Sequence, residues 1–402
     1  MMFDIKKIKW LYFARLFSLT GSQILFFVVP LLIFKMTHSA VYTGIAFSLE
    51  WTARIISFPL SGLCADKFGA RKSYIISDFM ISLLALIAVG IMTYYHAMTI
   101  LVLVILSVSA GFLAEIGYVS AESLAPKLVK ASYYAKSQSI LELLEQFALL
   151  FGPTIAGAFI LYFNPESLIY LSIVLYALSA ISMIKINVSD ITTQRASENI
   201  KKELIAGFTT IRKDSYLINI VILSIMMNFV FGLMTGAAPV MVLGVYSMSD
   251  SYYALLNLGA GMAGVLAILI LNMLVKKYSI ISMGIVAYIV ACFLCIFAGY
   301  VHSYSSYLMI YALFYAFSGI FSIFFRSERA RIIPVDVLGR TIGVIIFITF
   351  LLFPASGLLI SLTHQYFSLN HVISFVGLGC LILGATVFTR THKISRVAYN
   401  EG

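Results

Sequence analysis

Seventeen acidic and 27 basic side chains are distributed over this 402-residue chain, and a few of them fall where charge is hardest to hold. Glu50 and Arg54 stand four apart, with Trp51 between them, inside an apolar stretch. On a helix that spacing puts the carboxylate and the guanidinium on one face, within reach of each other. Glu142 and Glu145 stand three apart and are followed by Gln146 in another such stretch; Asp78 and Glu115 are single acids in two more. Two carboxylates on one desolvated face disfavour simultaneous ionisation, so one of them can bind and release a proton. Glu50, Glu142 and Glu145 are therefore the protonation candidates, with Asp78 and Glu115 as further ones. Arg54 is either the neutralising partner of Glu50 or a contact for an anionic substrate; the alternative is a static pair that only orients helices. Gln23, Asn228 and Gln146, with Trp51 and Tyr118, suit a cavity for a ring-bearing or amphipathic ligand, and Gln23 and Asn228 serve equally as hydrogen-bonding glue between helices.

These groups have to be positioned by elements that live in lipid. The chain is 61% hydrophobic and 11% charged, against roughly a quarter charged in soluble domains. Stretches such as ILVLVILSV do not alternate every second residue, which excludes a β-barrel. An ionisable side chain at the bilayer centre costs about 2.5–3.5 kcal/mol, so each one kept there needs a partner, a water-filled cavity or a task. Twelve spans are expected, over approximately 10–36, 40–65, 73–94, 98–126, 133–163, 166–186, 216–246, 251–275, 279–300, 304–332, 338–363 and 370–390. The first run continues past the length of a cleavable signal into PLLIFKM and is expected to stay as a span. The long polar break at 187–215 divides the chain into a six-helix bundle over 1–186, a linker with a short amphipathic helix over 201–214, and a second six-helix bundle over 216–402.

Placing Lys and Arg on alternate sides of this map separates them sharply. Lys6, Lys7, Lys9, Lys67, Arg71, Lys72, Lys127, Lys130, Lys136, Lys276, Lys277 and Arg340 fall on one side, with the linker and tail; the other has essentially Lys35. The positive-inside rule then puts both termini in the cytoplasm and requires an even number of spans. Topology and anionic headgroups account for the net charge of +10, and no nucleic-acid partner is expected. The halves echo each other: VVPLLIF with AAPVMVL, LAPKLV with IIPVDV, LLFGP at 149–153 with LLFP at 351–354, and KFGARKSYIIS with KKYSIIS. Such parallel repeats in transporters place a substrate site at their interface, near the bilayer midplane.

Between the second and third spans stands GLCADKFGARK, residues 62–72. Gly62, Leu63, Ala65, Asp66, Lys67, Gly69, Arg71 and Lys72 resemble the loop signature GxLaDrxGRkxxl of the major facilitator superfamily, and the similarity extends over the whole chain. The resemblance implies an all-α membrane protein of twelve helices in two pseudo-symmetric bundles. It also implies that the loop is a cytoplasmic latch, in which glycines allow a tight turn and the acid and bases pair reversibly. ALLFGPTIAG, residues 148–157, is similar to the family's gxxxGPxxGG exporter pattern, with Ala148 and Ala156 in place of two glycines. Gly152 and Pro153 are accordingly expected at a rocking interface. AESLAPKLV and RSERARIIPVDVLGR look most like the branch holding macrolide and siderophore exporters, the enterobactin exporter included. Arg326 and Arg329, with Glu328 and Arg331, are assigned to gating or snorkelling at the cytoplasmic end of the tenth span.

The functional expectation is a secondary transporter in a bacterial inner membrane, working as a monomer and exchanging a small organic molecule for protons. Import of a small anionic metabolite or siderophore on the same fold is the alternative. No enzyme constellation and no cofactor are expected: GAGMAG at 259–264 lies inside a span with no strand before it, no GxxxxGK[ST] occurs, and the six histidines lack ligand spacing. Cys292 and Cys295 form a CxxC inside a span, where small apolar packing is favoured over redox or zinc chemistry.

Overall fold

The computed structural model describes residues 5–129, 131–186, 200–275, 277–333, 338–364 and 366–400. Within them the chain is built from helices, as hydrocarbon requires: with no water available, each segment must bond its own N–H and C=O groups. The order is α1 (Ile5–Thr37), α2 (Ala40–Phe68), α3 (Ala70–Tyr94), α4 (Thr99–Leu128), α5 (Ala131–Ile160), α6 (Ser167–Ile184), α7 (Ile200–Lys213), α8 (Ser215–Pro239), α9 (Asp250–Leu274), α10 (Ile280–Ala298), α11 (Tyr304–Ile332), α12 (Leu338–Phe350), α13 (Phe353–Thr363) and α14 (Leu369–Asn400). Eleven helical segments among the described residues are long and apolar enough to cross a membrane. The remaining span is α2, 29 residues long. It falls short of that standard of apolarity because Glu50 and Arg54 interrupt it. This is a multi-pass membrane protein with the twelve-span fold.

Two spans depart from plain α-helix. After Pro239, α8 continues as a π-helical turn over Val240–Val245. The eleventh span, expected to run unbroken over 338–363, is two helices, α12 and α13, parted at Leu351 and Leu352. Pro354 stands in the first turn of α13; it has no N–H to offer Phe350, and its ring crowds that carbonyl. Pro153, its counterpart in the LLFGP stretch, is instead held inside the uninterrupted α5.

The chain divides into two compact units, Met1–Glu198 with Met248–Leu258, and Asn199–Ser247 with Gly259–Gly402. In the first, α1 packs on α4, α5 and α6, α2 and α3 both pack on α4, and α3 also packs on α6. Leu11, Ala14, Tyr74, Leu124 and Met183 are core residues at its basic end. Met248–Leu258 belongs here because the Lys35 ammonium meets Asp250 at 2.6 Å and Tyr253 stacks on Phe27 at 4.7 Å. In the second unit, α8 contacts α11, α12, α13 and α14, while α10 packs on α11 and α14. The amphipathic helix of the linker is α7, with Ile205 and Phe208 exposed and Ile211 buried. Asp214 ends it by accepting from the N–H groups of Tyr216 and Leu217, which starts α8 with an N-cap.

Candidate functional site

The first unit holds a buried charge network that the register of α2 on α4 creates. Ser107, Gly111 and Glu115 recur every four residues along α4 and face Glu50 and Arg54 of α2. Gly111 allows the approach: a Cβ there would lie 3.1 Å from Glu50 Cγ and 3.2 Å from Arg54 Cγ. Arg54 donates from Nε (3.3 Å) and Nη2 (3.0 Å) to one oxygen of Glu50, and from Nη1 to Glu115 at 3.1 Å. Nη2 also reaches Ser22 Oγ of α1 at 3.4 Å. The other oxygen of Glu50 accepts from Ser107 at 3.2 Å. Trp51 lies under the guanidinium, 5.4 Å from its centre, and packs with Phe26 and Phe47. Glu50 is 4% exposed.

Of the two roles expected for Arg54, this geometry favours the neutralising partner. Its donors already serve two carboxylates, so an anionic substrate would have to displace one of them. One guanidinium between two acids also leaves the trio with an excess of negative charge.

A second centre, which brings Asp78, Tyr118 and Glu145 together with an arginine the sequence did not single out, lies nearer the basic end. Arg15 of α1 is 3% exposed and sits 4.9 Å from the centre of the Tyr118 ring of α4. Glu145 of α5 interacts with Arg15 and Tyr118. Asp78 of α3 is fully buried and accepts from Ser18 of α1 and Ser179 of α6. The signal for this centre was a period rather than a motif: Arg15, Ser18 and Ser22 stand three and four apart on α1, which makes one polar face of a span that is otherwise apolar. The side chains of Glu142 and Gln146, like that of Asp66, lie outside the described residues.

The uncharged candidates take structural partners. The Cα of Gly152 sits so close to α1 that a Cβ would come within 2.4 Å of Gln23 Cβ, so Gln23 marks the α1–α5 contact. Gly157, five residues on, faces the carbonyl of Ala254 in the same way. Asn228 of α8 donates to the carbonyl of Thr349 at 3.0 Å, one of the carbonyls left over where α12 breaks off.

The loop signature resolves into distinct functions. Gly69 alone separates α2 from α3, at φ 89° and ψ 133°, a backbone that a Cβ would strain. Arg71 donates to the carbonyl of Ile184 at 2.8 Å, capping the end of α6 where the helix dipole is negative. Lys72 is exposed, and a Cβ on Gly62 would meet nothing within 4 Å. In the second unit the corresponding tie joins α8 and α11: Glu328, 2% exposed, accepts from Tyr216 at 2.9 Å and from Arg331 at 2.6 Å. Arg326 is half-buried beside it, and Arg329 lies 5.5 Å from the centre of the Phe325 ring. The thiols of Cys292 and Cys295 are buried in α10, and Cys295 contacts the carbonyl of Ile373.

Comparison with known proteins gives one family and a set of folds. The family model described as Major Facilitator Superfamily matches residues 11–357. No curated protein matches the sequence. Among solved structures, a D-xylose–proton symporter is similar with a TM-score of 0.75 at 12% identity, over 96% of this chain and 97% of its own. The nucleoside transporter NupG is similar at 0.70 and 14% identity, over 96% and 100%. A bacterial homologue of the iron transporter ferroportin, in an inward-facing state, is similar at 0.68 and 18% identity, over 96% and 99%. Identities this low establish the fold alone.

Proposed function

This chain belongs to the Major Facilitator Superfamily, a family of transporters and not of enzymes, and on that premise we propose that it is a proton-coupled exporter of a small organic molecule. It works by alternating access, as a monomer, in the inner membrane of a bacterium with both termini in the cytoplasm. Its AESLAPKLV and RSERARIIPVDVLGR stretches resemble those of the macrolide and siderophore exporters. No cofactor or nucleic acid takes part.

The observation that supports this reading is the excess of buried acid in the first unit. Among the described residues, the cations beside Glu50, Glu115, Asp78 and Glu145 are Arg15 and Arg54. Interior carboxylates beyond the number of interior cations must be balanced by protons or by cargo. Exchange follows when both compete for one carboxylate: a cargo hydroxyl or amine that donates to Glu50 or Glu115 excludes the proton, and proton uptake ejects the cargo. A carboxylate cargo would behave in the opposite way. It would bind Arg54 once Glu50 or Glu115 is protonated, so that anion and proton travel together. That is the import reading, and it is favoured by the two alanines, Ala148 and Ala156, that stand in place of glycines in the exporter pattern.

Proteoliposomes with an imposed pH gradient test the assignment, with a tricatecholate siderophore and a macrolide as probes. Gradient-driven flux in the wild type should exceed that of Glu145→Gln at least tenfold, while exchange without a gradient persists in both. Flux in the variant equal to the wild type's refutes the coupling role of Glu145.

A further inference from the structure

The linker helix α7 carries two stripes, one residue out of register with each other. Gly207 and Ile211 stand four apart and are buried in a helix that packs on α12. Ile205, Phe208 and Arg212 stand at i, i+3 and i+7, about 100° round the same helix. All three are exposed, Ile205 by 55% and Phe208 by 56%. The helix therefore joins its own unit with one side and leaves an isoleucine and a phenylalanine uncovered on another. Its depth is fixed by its end. Lys213 is followed by the single residue Asp214, extended at φ −116° and ψ 108°, and then by Ser215, the first residue of a membrane span over Ser215–Val245. A one-residue junction holds the last turn of α7 at the level where that span enters the bilayer, among lipid headgroups.

We propose that α7 is an interfacial helix that binds the anionic phospholipids of the leaflet on the basic side of the spans, and that through α12 it makes the second unit responsive to that leaflet's charge. Ile205 and Phe208 enter the acyl boundary, and Arg212, in the same stripe, reaches back to phosphate. Charge complementarity names the occupant. The helix sequence IKKELIAGFTTIRK holds four cations and one acid. Arg212 and Lys213 are exposed, and no ion pair joins either to an acid among the described residues. A negatively charged lipid surface supplies apolar cover and anions together. The response passes to α12 because of how the eleventh span is broken. α12 packs on α7 and α8 and is parted from α13 at Leu351 and Leu352, so it can follow α7 while α13 stays with α8 and α14. The inference goes beyond the export reading and needs neither cargo nor a proton gradient.

Hydrogen exchange, read by mass spectrometry on the full chain in nanodiscs holding one copy each, tests this without a transport assay. Its failure is therefore distinguishable from failure of the export reading. Discs of phosphatidylcholine alone are compared with discs containing about 30% phosphatidylglycerol, which gives the leaflet a negative surface. Amide exchange over 200–213 should slow by about fivefold or more in the charged discs, and exchange over 338–350 should slow with it, while 353–363 is unmoved. Replacing Lys201, Lys202, Arg212 and Lys213 together by glutamine should abolish the difference between the discs. Ile205→Ser with Phe208→Ser should raise exchange over 200–213 in both. The wild-type comparison needs no variant, and so decides the matter if the neutralised chain does not fold. Equal exchange over 200–213 in the two discs, a difference that survives loss of the four cations, or one that leaves 338–350 unmoved overturns the proposal. So does slowing that appears only in discs holding two copies, since the stripe would then be covered by a second chain.

Discussion

Replacing Arg54 by methionine removes the one cation that Glu50 and Glu115 share, at 3.0 and 3.1 Å. The trio carries two acids and one base, and Arg54→Met leaves two acids, their side chains 5% and 13% exposed, with no ion-pair partner. Breaking a buried pair from one side costs about 3–5 kcal/mol. Glu115→Gln also removes one charge, yet it leaves Glu50 and Arg54 balanced, and the amide oxygen can still accept from Nη1; its cost should stay below about 1 kcal/mol. The neutral triple variant Arg54→Met, Glu50→Gln, Glu115→Gln should return to within about 1 kcal/mol of the wild type, because no unpaired charge remains. Thermal melting in detergent, followed by tryptophan emission, reads these differences. The chain has two tryptophans, so a Trp10→Phe background isolates Trp51, which lies against Arg54. At roughly 2–4 °C per kcal/mol for a unit of this size, Arg54→Met should melt about 10 °C low. If Glu115→Gln melts as low as Arg54→Met, or if the triple variant recovers nothing, the network is not held together by charge balance.

Substitutions at and around two glycines that set helix spacing are read by the same melting assay. Gly69→Ala should cost about 1–2 kcal/mol because φ is 89° at the one-residue junction of α2 and α3, whereas Gly62→Ala, whose Cβ meets nothing within 4 Å, should stay within about 0.5 kcal/mol of the wild type. Gly152→Val should cost about 1–3 kcal/mol by forcing α5 off Gln23, and Gln23→Gly should relieve that cost while Gln23→Ala, which keeps the Cβ in the way, should not.

What could be read from the sequence was whatever repeats or costs energy by itself. Apolar runs of membrane length and the one-sided distribution of lysine and arginine announce a helical membrane protein without reference to any neighbour. Glu50 and Arg54 announced each other because i, i+4 spacing is a property of one helix. Glu115 appeared only as a lone acid, since its partner is 61 positions away and their meeting depends on how α2 lies along α4. Arg15 escaped for a different reason. Close to the basic end of the first span it resembles another snorkelling cation, and only the helices packed around it show that it is buried. Serines are hardest of all to read, because a hydroxyl in a membrane helix can bond its own backbone, as Ser48, Ser61 and Ser77 do, or complete a carboxylate's shell, as Ser107 and Ser18 do. Composition does not distinguish the two. The break between α12 and α13 was signalled by Pro354, but Pro153 gives the same signal without a break, so the outcome belongs to tertiary context.

The two units differ in chemistry, and electrostatics gives a reason. Of the buried charged residues among those described, Arg15, Glu50 and Asp78 lie in the first unit, and Glu328 lies at the basic end of the second beside Arg331. Among the described residues, the interior contacts of the second unit away from that end are polar without charge: Tyr311 donates to Tyr315, Tyr315 bonds Thr235, and Asn228 donates to a helix carbonyl. Each charge in hydrocarbon is costly alone and much less so beside its opposite. Charges gathered in one unit neutralise one another at 3 Å, whereas charges divided between separate bodies would depend on those bodies staying in contact. A transporter that must hold ionisable groups in lipid while its halves move is therefore driven to put them on one side. In the cycle we propose, proton binding is then a local event within the first unit.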